Sequence, residues 1–164
     1  MPFSAFPNVK ATMVISCMDP RANPNEFWAF SETSPVQPAV LRNAGGRVTE
    51  DTLRSIRVLS GIMGNGKNTV GAVAVVHHAD CGLRNFSDER VGELLGERAG
   101  LDEGKKGEVG GMWFGSFSGD ATLEKSVRED MEKIKADPYL PRDLEVIGYT
   151  YDGTTGKTTE VGVL

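Results

Sequence analysis

Apolar positions fall into short continuous runs separated by amphipathic stretches, so both a strand period and a helix period can be read along the chain. Thr12-Met13-Val14-Ile15-Ser16 is a partly β-branched run ending at Cys17 and Met18, which predicts a buried strand. Ala39-Val40-Leu41 predicts a second, running into Arg42-Asn43-Ala44-Gly45-Gly46. Val70-Gly71-Ala72-Val73-Ala74-Val75-Val76 is the strongest strand signal and is apolar on both faces, as a central parallel strand must be. It delivers His77, His78 and Cys81 at its C-terminal end. Leu144-Glu145-Val146-Ile147-Gly148-Tyr149-Thr150 predicts another central strand, and the turn residues 152–156 lead into a short edge strand through Val161.

Helical patterns lie between these runs. Thr49 can cap a helix whose first turn carries Glu50 and Asp51, where carboxylates suit the positive helix end. Leu53, Ile56, Leu59 and Met63 then recur at helical spacing, and Gly64-Asn65-Gly66 predicts the stop. Leu123, Val127, Met131 and Ile134 form an amphipathic stripe that ends before Pro138 and Pro141. Residues 84–111 alternate charge and glycine, which supports a weak helix over Asp88–Glu97 followed by a loop. The alternation predicts an α/β fold: one domain over residues 1–164 with a mostly parallel central sheet of four to five strands flanked by helices. In such sheets ligands gather outside the carboxyl ends of the strands, where both Cys17 and the His78/Cys81 pair fall.

Composition narrows the class. A domain of 164 residues buries roughly 70% of the surface its unfolded chain exposes, enough for a substantial core. Eighteen Lys and Arg against 23 Asp and Glu give a net charge of −5, without the basic excess expected of a partner of nucleic acid or an anionic membrane. No apolar run approaches the roughly 18 residues of a membrane span. The opening MPFSAFPNVK has no basic segment followed by an apolar stretch, so the expected compartment is the cytosol.

That compartment keeps thiols reduced, which disfavours a Cys17–Cys81 disulfide and draws attention to the metal-binding capacity of the pair. The pattern is Cys17-x-Asp19-x-Arg21, then, after 56 residues, His78-x-x-Cys81. Two thiolates and one imidazole suit zinc, and three protein ligands leave one position open for water, which is the catalytic arrangement. Adjacent strand residues point to opposite faces, so His77 is not expected to share the ion with His78. Asp19 can orient a metal-bound hydroxide or swing in as a fourth ligand. The fork of Arg21 can hold that carboxylate in two places and keep it ionised.

Together, Cys17-Met18-Asp19-Pro20-Arg21, Arg42-Asn43-Ala44-Gly45 and His78-Ala79-Asp80-Cys81-Gly82 resemble the β-class carbonic anhydrases. The segment from Val127 to Pro141, Val146-x-Gly148 and Thr155-Gly156-Lys157 also look like that family, so the resemblance covers roughly residues 12–161. It implies a parallel α/β sheet built as a homodimer or a multiple of dimers, with one zinc ion per chain on Cys17, His78 and Cys81. It further implies an Asp19/Arg21 dyad, Asp19 on the metal only in a closed form, and the Gly82 backbone amide beside the substrate. The reaction implied is reversible hydration of carbon dioxide to bicarbonate by zinc-activated hydroxide. Two other readings stand beside it: hydrolysis of carbonyl sulfide or carbon disulfide on the same zinc site, and a non-catalytic bicarbonate-binding zinc protein. Pro20 replaces the serine usual between the dyad residues, and eleven residues precede Thr12, so the helical arm of larger members is expected to be mostly missing.

The remaining motifs imply less. Residues 61–68 nearly spell a phosphate-binding loop, but Asn68 stands where a hydroxyl must reach magnesium, and a helix pattern precedes it. His77 is a candidate proton shuttle, although packing on the far strand face is the more ordinary role. Asp80 is expected to hydrogen-bond around the site and Arg42 to hold backbone beneath it. Gly110-Gly111-Met112-Trp113-Phe114 can serve as lid, dimer contact or core filling.

Overall fold

A computed structural model describes residues 10–28, 38–63, 69–117 and 122–164. Five strands form one sheet in the order β2-β1-β3-β4-β5: β1 (Lys10–Cys17), β2 (Ala39–Asn43), β3 (Thr69–His78), β4 (Glu145–Asp152) and β5 (Lys157–Val163). The first four run parallel, and β5 returns antiparallel to β4. The architecture is the α/β fold expected from the alternation of runs.

The longer helices are α2 (Glu50–Met63), α3 (Asp88–Arg98), α4 (Glu103–Gly110) and α5 (Leu123–Ala136); α1 is the single turn Pro24–Phe27. Thr49 caps α2 as its sequence implied, its Oγ1 accepting from the Thr52 amide at 3.2 Å. The glycine-rich stop expected after Met63 lies outside the described residues, as do residues 64–68 of the near phosphate-loop motif. The segment before that motif is helix α2, not the strand such a loop requires.

Helix α4 corrects the loop expected after residue 97. Its sequence EGKKGEVG has low helix propensity, yet Asp102 caps it by accepting from the Lys105 amide at 2.9 Å. It packs on α3 at two glycines. A Cβ on Gly92 would stand 3.1 Å from the Val109 carbonyl oxygen, and one on Gly96 would stand 3.1 Å from Lys106 Cγ.

Alternation along the strands divides the core in two. Met13, Ile15, Val73, Val75 and Val146 face α2 and α5, meeting Leu53, Ile56, Val127, Met131 and Ile134. Val14, Ala74 and Val76 face the opposite way, with Ala22, Phe27, Trp28, Cys81 and Tyr151. The chain runs from β1 outward to β2 and returns to β3 on the other side, so the β1/β3 junction is the topological switch point of the sheet.

Candidate metal centre

Cys17 ends β1, His78 ends β3, and Cys81 follows one turn later. All three are buried, and their ligand atoms lie within 4.8 Å of one another. Neither cysteine is in a disulfide. Gly46 makes the approach possible. Its φ is +69°, and a Cβ there would stand 2.9 Å from the Cys17 nitrogen and 3.0 Å from the Val76 carbonyl oxygen. Arg42 fixes the loop after β1 from below, donating from Nε to the Cys17 carbonyl at 2.9 Å and from Nη2 to the Asp19 carbonyl.

The ring of His78 is oriented by Asp80, whose Oδ1 accepts from Nδ1 at 2.7 Å. The other ring nitrogen, Nε2, is buried with no hydrogen-bond partner among the described residues. A buried polar atom left unpaired is costly, and a cation held by Nε2 and the two sulfurs would satisfy it. Burial opposes a charge on His78, but the neighbouring Cys17 thiolate and Asp80 outweigh it and raise the ring's pKa.

The two sulfurs lie close enough to shift each other's ionisation in opposite directions. Hydrogen bonding from Cys81 lowers Cys17 to about 4 against the opposing effect of burial, helped by His78 and the Asp19 amide. The same contact, with burial, pushes the Cys81 thiol far up. A metal held here would require both thiols as thiolates, so its binding would release protons. Sulfur and nitrogen donors in this number suit zinc.

No fourth Cys, His, Asp or Glu joins the cluster among the described residues. Asp19 is turned onto Arg21, which donates from Nε to Oδ1 at 3.0 Å and from Nη2 to Oδ2 at 2.6 Å. The backbone amide of Arg21 adds a third bond at 2.9 Å. These contacts lower the Asp19 carboxyl to about 2. Gly82 begins an exposed 3-10 turn through Asn85, with no neighbouring atom within 4 Å of where its Cβ would stand.

The structure separates His77 from this group. Its ring is fully buried on the α5 side of β3, with Nδ1 2.8 Å from Ser126 Oγ and Nε2 3.3 Å from Asp130 Oδ2. Asp130 also pairs with Arg47 Nε at 3.0 Å and accepts from the Val48 amide at 3.0 Å. This buried node is visible in sequence only as an Asp on the apolar stripe of α5, between Val127 and Ile134. Trp113 is half exposed rather than core-filling. It lies over Lys133 and Arg47 beside a groove of about 560 Å³, which none of the three ligand residues lines.

No protein-family profile matches the chain. Individual proteins do. Beta-carbonic anhydrase 1 of Mycobacterium tuberculosis is 26% identical over 155 residues, spanning 94% of this chain and 84% of its own. Carbon disulfide hydrolase of Saccharolobus solfataricus is 25% identical over 170 residues, spanning 92% of this chain and 77% of its own. The solved carbonic anhydrase of Streptococcus mutans superposes with a TM-score of 0.77 at 31% identity, covering 95% of this chain and 83% of that one. A three-ligand sulfur and nitrogen site at the switch point of a parallel sheet, with identity sustained nearly end to end, makes this chain a member of the β-carbonic anhydrase family.

Proposed function

We propose that the protein is a zinc enzyme that interconverts carbon dioxide and bicarbonate, with Cys17, His78 and Cys81 as ligands and Asp19 and Arg21 as the catalytic dyad. The observation that carries the reading is a three-ligand site beside an ionised carboxylate that is locked in place two residues from a ligand. Cys17, His78 and Cys81 would hold zinc, which would supply the Lewis acidity that makes water a nucleophile near neutral pH.

The chain's own residues do the rest. Asp19, with a pKa of about 2, is an acceptor only at working pH. It would accept a hydrogen bond from the nucleophile's O–H and so orient the oxygen lone pair toward the substrate carbon. Arg21 fixes the plane of that carboxylate through two parallel bonds. The Gly82 amide would be the donor for the substrate oxygen, and open space surrounds the position its Cβ would take. Release of Asp19 from Arg21 would let it close the site as a fourth ligand. We assign the working unit to a homodimer, or a multiple of dimers, in which a partner copy completes the pocket wall.

A second reading has its own support: the carbon disulfide hydrolases match over more than 90% of this chain. The same nucleophile would release hydrogen sulfide from carbonyl sulfide or carbon disulfide. Stopped-flow hydration of carbon dioxide by zinc-loaded protein at pH 7 and pH 9, run beside sulfide release from both sulfur gases, separates the two. Hydration well above buffer without comparable sulfide release is expected. Sulfide release without hydration would transfer the assignment to the hydrolase. Silence with all substrates at one zinc per chain would make it a non-catalytic bicarbonate-binding protein.

A further inference from the structure

Arg21 does not serve Asp19 alone. Its Nη1 donates to Asp80 Oδ2 at 2.5 Å, while Asp80 Oδ1 accepts from His78 Nδ1 at 2.7 Å. Asp19, Arg21, Asp80 and His78 thus form one continuous chain of charged hydrogen bonds, from the dyad carboxylate to the back of a metal ligand. Arg21 and Asp80 are 59 residues apart, and only the β1/β3 junction brings them together.

We propose that Asp80 is a positioning residue for the metal centre with two simultaneous tasks. Through Oδ1 it fixes the His78 tautomer and ring plane so that Nε2 is presented to the metal. Through Oδ2 it holds Arg21 in register with Asp19 and gives the guanidinium a second carboxylate whenever Asp19 leaves it. This inference rests on the reading of Cys17, His78 and Cys81 as metal ligands.

An exposed Arg–Asp pair by itself does little. Asp80 differs because its other oxygen engages a ring that is almost wholly buried and whose remaining nitrogen is unpaired. Loss of such a partner behind a metal-bound histidine characteristically weakens metal binding 10–100-fold. Asp80 is also held in place independently. Arg84 pins the preceding turn by donating to the Ala79 carbonyl at 2.6 Å, and the Ala79 amide donates to Tyr151 at 2.9 Å. Removing the carboxylate therefore leaves the backbone of the turn supported.

The test is a double-mutant cycle read by zinc affinity in chelator competition, with no assay of turnover. Asp80→Ala is expected to weaken zinc binding about 10–100-fold. Arg21→Ala is expected to weaken it less, and to have a smaller effect still when Asp80 is already Ala, because its path to His78 runs through that carboxylate. Asp80→Asn keeps an acceptor for His78 Nδ1 but no charge for Arg21. It should fall between wild type and Asp80→Ala, while Asp80→Glu restores part of the loss. If the alanine variant misfolds, the Asn and Glu variants carry the same ordering. Zinc affinity within twofold of wild type in both Asp80→Ala and Asp80→Asn, or strictly additive effects of Arg21→Ala and Asp80→Ala, would overturn the proposal. Absence of zinc binding by the wild-type protein would instead fail the ligand assignment beneath it.

Discussion

His77 and His78 are neighbours in the chain and belong to opposite sides of the sheet. The Nδ1 of His78 is 2.7 Å from Asp80 at the metal centre, and that of His77 is 2.8 Å from Ser126 beneath α5. Strand alternation forces the separation. One imidazole faces the two cysteines, and the other is tied to Asp130 and the helix that closes the far face.

The Asp19–Arg21 pairing predicts a catalytic loss without a metal loss. Asp19→Asn is expected to keep one zinc per chain and lose about 10²-fold or more in turnover, because the nucleophile is no longer oriented. Zinc content and stopped-flow hydration measured on one preparation check this. Full turnover in a zinc-replete variant would remove Asp19 from the mechanism.

Gly46 predicts a backbone effect at the same centre. Gly46→Ala places a Cβ 2.9 Å from the Cys17 nitrogen at a φ of +69°, so the strand end must shift. A destabilisation of about 1–3 kcal/mol in urea unfolding is expected, with weaker zinc binding. Gly107→Ala in α4 is the control. Nothing lies within 4 Å of its Cβ position, and the substitution should stabilise the helix by about 0.5–1 kcal/mol.

Asp130 predicts the opposite kind of failure. It is fully buried and compensates Arg47, which is 4% exposed. Asp130→Asn leaves that buried guanidinium with only the half-exposed Glu129, 3.9 Å away, as countercharge and is expected to cost about 3–5 kcal/mol. Urea midpoints measure the effect, and a loss below about 1 kcal/mol would mean that Arg47 finds other compensation.

The pH dependence of stability follows from His77. Burial holds its pKa below the ordinary 6.5, despite the opposing pull of Asp130. The unfolded chain therefore binds the proton more readily, and stability falls as pH drops from about 6.5 toward the folded pKa. His78, with a raised pKa, acts in the opposite direction in metal-free protein, so the comparison is made with zinc bound. Wild type should lose stability relative to His77→Gln between pH 7 and pH 5 in thermal melts. A constant difference across that range would contradict the assignment.

Much of this was legible in the residues. Strand and helix periods located β3, β4, α2 and α5, because their apolar positions repeat strongly enough to outweigh local context. Helix α4 was not legible, because EGKKGEVG has neither propensity nor stripe. Its helix rests on an Asp102 cap and on close approach to the glycines of α3, and neither sets a period.

The sequence by itself determined which donors are on offer: Cys17, His78 and Cys81 have the chemistry and spacing of the proposed metal site, and the period of a strand puts His77 on the other face. Only the tertiary structure decided how those donors are held. Arg21 reaches Asp80 across 59 residues, and Asp130 meets Arg47 across 83, because a switch in strand order and the docking of α5 bring distant segments together. Local sequence encodes which side chains can ligate or ionise. Their orientation depends on partners chosen by packing, and those partners carry no signature at the positions they serve.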